Sequence, residues 1–324
     1  MPPRKTSIPS TAAECAALLE RIQTNIETVL QGKNEQIRLA LVCLMAGGHL
    51  LIEDVPGVGK TLLAKALART MGCSWRRIQF TPDLLPTDIT GVSVYNQERR
   101  NFEFKPGAIF ANVVLGDEVN RASPKTQSAL LEAMEERQVT VDGVTYPLAE
   151  PFLVIATENP IGHEGTYPLP AAQLDRFLMR LEIGYPSAEA ELAVLHTHGR
   201  HSALDEIGAV ADARSILALT EAAGSIHVAE TLNEYIVQLV ASTRASEELT
   251  LGASPRASLS LLRASRAMAL SEGRDYVVPD DIKTLAIPVL SHRVIAAPEA
   301  EMSGRVTSDV LADLLDEVPV PIRR

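Results

Sequence analysis

The run HLLIEDVPGVGKTLLAKALART, residues 49–70, constrains the fold of this chain more than any other stretch. Apolar residues flow into a glycine-rich turn, and the turn opens onto an Ala- and Leu-rich segment of helical character. The expected order is buried strand, loop, helix. Such a turn presents several backbone N–H groups at the positive end of a helix, an arrangement suited to phosphates. The strict pattern is G-x-x-x-x-G-K-[ST]. Gly59, Lys60 and Thr61 fit its end, but its first glycine falls on Asp54. A carboxylate aimed at phosphates would repel them, so the Asp54 side chain is expected to turn away. Aspartate also tolerates left-handed backbone better than most residues.

The expected binding stretch is Val55, Pro56, Gly57, Val58, Gly59, Lys60, Thr61 and Leu62, with the nearest donors between Gly57 and Thr61. Lys60 would reach the β and γ phosphates of ATP, and Thr61 would place its hydroxyl on Mg2+. A Gly-Lys-Thr tripeptide also arises by chance in turns. The strand before it and the helix after it favour the nucleotide reading.

Four further stretches carry chemistry. In VVLGDEVNR a buried strand delivers Asp117 and Glu118 to its carboxyl end, where ligands sit in open parallel sheets. Asp117 would hold Mg2+ and Glu118 would act as general base on the attacking water. The bland alternative is a strand ending in two solvated acids. VIATENP ends a second buried strand at Asn159, which could orient that water or simply close the strand before Pro160. LPAAQLDRF carries Arg176, either an arginine finger reaching across a subunit boundary or the partner of Asp175 in a surface pair. In GASPRASLSLLRASRA, Ser254-Pro255 opens a helix and puts Arg256 in its first turn. A cation there opposes the helix dipole, which argues for an anionic partner such as a phosphate; the bland alternative is a solvated arginine whose small cost is tolerated.

Bulk properties narrow the classes. The formal net charge of −11 over 324 residues argues against a protein whose main task is to bind nucleic-acid backbones. Cys15, Cys43 and Cys73 stand at neither metal-ligand nor redox spacing. The start, MPPRKTSIPS, lacks the apolar core of a signal peptide. The longest apolar run, Leu39 to Ile52, is too short to span a bilayer. A cytoplasmic protein with no membrane span is expected.

Along the chain, residues 1–10 read as a disordered tail, and Thr11-Ala12-Ala13-Glu14 as a capping box. Residues 11–186 read as α/β. They include two hairpins, one within 91–110 and one over 139–148 turning at Asp142-Gly143. From 187 to 324 strand-like runs vanish and Ala- and Leu-rich helices dominate, so that part is expected to be all-α, with a boundary near Tyr185-Pro186.

Taken in order, EDVPGVGKT, RIQFTPDLLPTDITG, GDEVNRASPKTQSALLEAMEE, ENPIGHEGTYPLPAAQLDRF, GASPRASLSLLRASRA and PVLSHR resemble an AAA+ ATPase, and more narrowly the MoxR family. The similarity runs from about residue 15 to 318. It implies a P-loop core, a parallel sheet with helices on both faces, followed by a C-terminal helical lid. Lys60 and Thr61 would be Walker A, Asp117 and Glu118 Walker B, Asn159 sensor 1, Arg176 the finger and Arg256 sensor 2. Gln79 would restrain Glu118, and Arg121 would approach a neighbour's nucleotide. Gly116 and Val119 depart from the Ala and Ile expected beside the acids. The resemblance further implies a homo-hexamer that remodels or activates client proteins, including enzymes needing metal or cofactor insertion, with a von Willebrand factor A domain partner. The alternatives are an ATP-driven chelatase motor subunit, a nucleic-acid motor using Arg99, Arg100 and Lys105, against the charge balance, and a non-hydrolysing regulatory scaffold, against the complete Walker pair.

Overall fold

The structure is a computed structural model that describes residues 8–159, 166–189, 191, 192, 204 and 207–321. Most of the expected tail, residues 160–165 of the ENPIGHEGTYPLP stretch, and much of 190–206 lie outside the described residues.

The centre is a five-stranded sheet in the order β2-β5-β8-β1-β9. The strands are β1 (Leu50–Glu53), β2 (Trp75–Gln79), β5 (Val113–Asp117), β8 (Leu153–Glu158) and β9 (Met179–Leu181). All four pairings are parallel, so every strand points its carboxyl end to the same edge. A parallel sheet covered on both faces needs apolar side chains on both, and the strands supply them by alternation. Leu50, Ile52, Leu115 and Ile155 join one hydrophobic cluster. Leu51, Val114, Val154 and Ala156 join the other.

The first cluster packs the sheet against α1 (Ala12–Glu27), α2 (Asn34–Met45) and α3 (Lys60–Thr70). The second packs it against α4 (Pro86–Thr90) and α5 (Pro124–Glu136). Helix α1 starts as expected: the Thr11 hydroxyl accepts the Glu14 amide at 3.2 Å and the Glu14 carboxylate accepts the Thr11 amide at 3.3 Å. Strand β2 begins at Trp75, ahead of the apolar IQF expected to form it, because Trp75, Arg76 and Arg77 lie exposed along a sheet edge.

Both expected hairpins are present. Strands β3 (Gly91–Asn96) and β4 (Asn101–Pro106) pair antiparallel. So do β6 (Gln138–Val141) and β7 (Val144–Pro147). The second turns at Asp142 (φ 52°) and Gly143 (φ 78°), the double positive φ that a two-residue turn of this kind requires. Phe104 of the first hairpin stacks on Tyr146 of the second, with ring centroids 3.9 Å apart and 14° between planes.

Beyond β9 come the helices α7 (Ala213–Ser225), α8 (Glu230–Ala245), α9 (Pro255–Ser271), α10 (Pro279–Leu290), α11 (Pro298–Met302) and α12 (Thr307–Glu317). One difference from expectation is a small antiparallel ribbon, β10 (Leu249–Leu251) with β11 (Ile295–Ala296). Its strands are too short for an alternating pattern to be visible. Helix α9 contributes Leu261, Ala264 and Met268 to the same cluster as α1 and α2, so the helical part and the sheet part share one continuous core. Among the described residues no helix is long and apolar enough to cross a membrane.

Candidate active site

The parallel sheet delivers the ends of β1, β5 and β8 side by side, and a cavity of about 420 Å3 lies against them. Pro56, Gly57, Gly59, Lys60, Thr61 and Leu62 line it from the loop and the start of α3. Gln79, Asp117, Glu118 and Asn159 line it from the strand ends. Gly57 and Gly59 sit at φ 90° and 102°, where a side chain would strain the turn. That backbone lets α3 begin at Lys60, so that the first turn of the helix borders the cavity.

Two of the expected binding residues face elsewhere. Val58 is buried in the core, and Val55 packs against that core. The Val55 amide donates to Asp54 Oδ1 at 2.8 Å, so its N–H is already used. Asp54 itself is turned away from the cavity. Its Oδ2 accepts the amides of Ile183 (2.8 Å) and Gly184 (2.7 Å), just beyond β9.

Lys60 Nζ donates to the Asp54 carbonyl at 2.5 Å. Burial pushes the pKa of this lysine down, and the charges of Asp54, Asp117 and Glu118 offset part of that. The cation is therefore held beside acids and a carbonyl, within reach of a ligand in the cavity.

The acid pair is tightly ordered. Thr157 Oγ1 donates to Asp117 Oδ1 at 2.7 Å and accepts the Glu118 amide at 2.9 Å. Arg77 donates to Asp117 Oδ2 through Nε at 3.1 Å and Nη2 at 2.6 Å. Glu118 adopts left-handed backbone, φ 57° and ψ 53°, sparsely populated by a non-glycine residue. Its Oε2 accepts from Gln79 Nε2 at 3.2 Å and from Arg121 Nη1 at 2.9 Å. The expected contact of Gln79 with Glu118 is present, while Arg121 bonds Glu118 of its own chain.

Arg77 and Thr157 belong to none of the motifs' expected site positions. A signal existed for both: Arg77 stands two residues before Gln79 on the same face of β2, and Thr157 precedes Glu158-Asn159 at the end of β8.

Arg176 and Arg256 do not line this cavity. They line a second one of about 520 Å3, together with Arg137, Arg263, Arg266 and Arg293. The Arg176–Asp175 pair considered from sequence is not formed. Arg176 Nε lies 3.1 Å from Glu135 Oε2, and Asp175 instead pairs with Arg293 at 2.7 Å. The anion beside Arg256 in the structure is not a phosphate but Glu135 of the same chain, whose Oε1 accepts from Nη2 at 2.8 Å.

Residues present fit Mg2+ with nucleotide. A hydroxyl, Thr61, and a carboxylate, Asp117, line one cavity with the lysine. One or two protein oxygens beside substrate phosphates is the usual provision for this ion.

Residues 49–179 match the ATPase family associated with various cellular activities (AAA), and residues 241–314 match the AAA lid domain. The chain is 48% identical to an uncharacterised protein of Bacillus subtilis, YeaC, over 95% of this chain and 96% of that one. It is 42% identical to the chaperone MoxR1 of Mycobacterium tuberculosis, over 94% of this chain and 82% of the relative. A crystal structure from Cytophaga hutchinsonii, described as that of a candidate ATPase, superposes with a TM-score of 0.90 at 40% identity, covering 96% of this chain and 97% of that one.

Proposed function

This chain belongs to the MoxR family of AAA+ ATPases, and we propose that it is a Mg2+-dependent ATP hydrolase whose turnover remodels or activates client proteins. The observation that carries the reading is the single cavity in which Lys60, Thr61, Asp117, Glu118 and Asn159 meet at the carboxyl edge of the sheet.

In this reading the amides from Gly57 to Thr61 bind the phosphates, and Lys60 exchanges the Asp54 carbonyl for them. Thr61 and Asp117 hold Mg2+, which neutralises charge on the phosphates. Thr157 and Arg77 keep the Asp117 carboxylate fixed for that task. Glu118 takes the proton of the attacking water as general base, and Asn159 orients that water. Arg176 and Arg256 line a cavity that Lys60 does not, and in this reading they serve the nucleotide of a neighbouring subunit, as in a ring. The proposed assembly is a homo-hexamer in the cytoplasm, with a von Willebrand factor A domain protein as partner. Residues 11–186 form its core and 187–324 its lid.

A protein client is favoured over nucleic acid. Arg99 of the basic hairpin cluster is paired with Glu103 at 3.0 Å, and the net charge is −11. The test is Glu118→Gln. It should bind ATP like the wild type and lose turnover by about 100-fold or more, the usual weight of a general base. An intact ATPase rate would remove Glu118 from that role. With ATP bound, the same variant should retain a client or partner in a pull-down.

A further inference from the structure

Two guanidinium groups from different parts of the chain converge on one carboxylate. Glu135, in the last turn of α5, forms an ion pair with Arg176, Oε2 to Nε at 3.1 Å, and its Oε1 accepts from Arg256 Nη2 at 2.8 Å. Arg176 follows α6 (Ala171–Leu174) in the sheet part. Arg256 opens α9 in the helical part. The two carboxylates that line this arginine-rich cavity are Glu135 and Asp175. Asp175 is committed to Arg293 and to the Ser254 hydroxyl. Glu135 is thus the carboxylate left for the pair.

We propose that Glu135 is a positioning residue that sets Arg176 and Arg256 side by side as one doubly cationic site for the terminal phosphate of a neighbouring subunit's nucleotide. The inference rests on the reading that this face serves a neighbour.

The physical case has three parts. Two guanidiniums brought together without an anion repel, and a carboxylate between them cancels that repulsion. Each arginine has five N–H donors; Arg176 meets Glu135 through Nε and Arg256 through Nη2, which leaves further N–H groups on both for a phosphate. Arg256 also sits where the helix dipole disfavours a cation, and a fixed negative charge offsets that. Glu135 is half-exposed, its side chain 37% accessible, so an incoming phosphate can take over the outward donors without breaking into the core.

The test uses the full chain. Glu135→Gln keeps the shape of the side chain and removes its charge. Expected is an unchanged melting temperature, a KM for ATP within about twofold, and a kcat lowered about tenfold, as when only transition-state contacts are lost. The distinguishing measurement is mixing with Lys60→Ala subunits, which lack their own nucleotide but keep an intact arginine face. A random equal mixture should regain about a quarter of wild-type turnover, the share of ring interfaces that join an intact loop to an intact arginine face. A slow Glu135→Gln that mixing does not restore places the defect within its own subunit and overturns the proposal. Wild-type kcat in Glu135→Gln, with Arg176→Ala inactive, overturns it while leaving the neighbour-facing reading in place. Full turnover in Arg176→Ala overturns both. Glu135→Asp, which keeps the charge but draws it back by one methylene, supplies a second variant should the first fail to fold. Slow turnover restored by mixing supports the same conclusion there, and either contrary result overturns it.

Discussion

The Gly184 amide donates a 2.7 Å hydrogen bond to the carboxylate of Asp54. The Ile183 amide joins the same oxygen at 2.8 Å. Lys33 completes the arrangement with opposite polarity: its Nζ donates to the carbonyls of Ile183 at 2.7 Å and Tyr185 at 2.8 Å. The segment leaving β9 is thus gripped at its amides by an aspartate and at its carbonyls by a lysine. The residue that stands where the loop pattern has glycine serves the backbone behind the loop rather than the ligand in front of it.

Asp54→Gly should therefore separate binding from stability. ATP affinity is expected to stay within about twofold, because the carboxylate faces away from the cavity. Stability should fall by about 1–3 kcal/mol, the cost of leaving buried amides unpaired. Nucleotide titration beside urea unfolding checks both. A loss of affinity larger than tenfold at unchanged stability contradicts the arrangement.

Gln79 shares Glu118 Oε2 with Arg121, so in this state that oxygen is occupied and not free for water. Gln79→Ala removes one of the two donors. Basal ATPase without client is expected to rise about fivefold, corresponding to roughly 1 kcal/mol for a hydrogen bond to a charged group in a half-exposed site. A steady-state rate assay reads it. A fall in rate would assign Gln79 a supporting role instead of a restraining one.

Glu158 ends β8 directly beside Glu53 in the β1 register. Burial, and after it the charge of Glu53, push its pKa up to about 7 against the lowering effect of Arg180. Its Oε1 is buried without a hydrogen-bond partner. The folded state holds this proton more tightly than the unfolded state. Stability is therefore complete below the ordinary carboxylate value of 4.5 and is lost as pH rises toward about 7. The loss amounts to on the order of 3 kcal/mol. Glu158→Gln should match the wild type near pH 4 and be more stable near pH 8. Urea midpoints at the two pH values decide, and equal midpoints at both refute the expectation.

Arg293 is almost fully buried, with 1% of its side chain accessible, and its charge is answered by Asp175 at 2.7 Å. Removing one partner of such a pair costs about 3–5 kcal/mol, because the other charge stays buried alone. Asp175→Ala should accordingly destabilise the chain more than Arg293→Met, which removes the buried cation itself and fills its volume. Denaturant unfolding of the two variants gives the order directly.

What could be read from the sequence was local. The phosphate loop, the Asp117–Glu118 pair and the Asp142-Gly143 turn each lie within a few residues, so spacing alone carries them. The capping box at Thr11 and the Ser254-Pro255 helix start are local for the same reason. Contacts that depend on strand register were not legible. Arg77 and Asp117 are 40 residues apart and meet because β2 and β5 pair in parallel with Gln79 opposite Asp117. Glu135 lies 121 residues from Arg256 in sequence, and no pattern in either helix announces the other. Val55 sits inside the motif, and spacing alone assigns it to the ligand. A neighbouring carboxylate takes its amide, and that required three-dimensional knowledge of where Asp54 points. The β10–β11 ribbon escaped because three residues do not make a period.

The stack of Phe104 on Tyr146 has a mechanical consequence. Each hairpin alone is a slender two-stranded ribbon, and a six-residue strand spans about 20 Å. The stack of two flat rings couples the ribbons, so that a tilt of one is passed to the other. A rotation of about 10° at the common base would sweep the far turn near Arg100 through roughly 3.5 Å on a span of that length. A small angular change at the base would thereby be magnified at the exposed tips, with the stack tying one tip to the other.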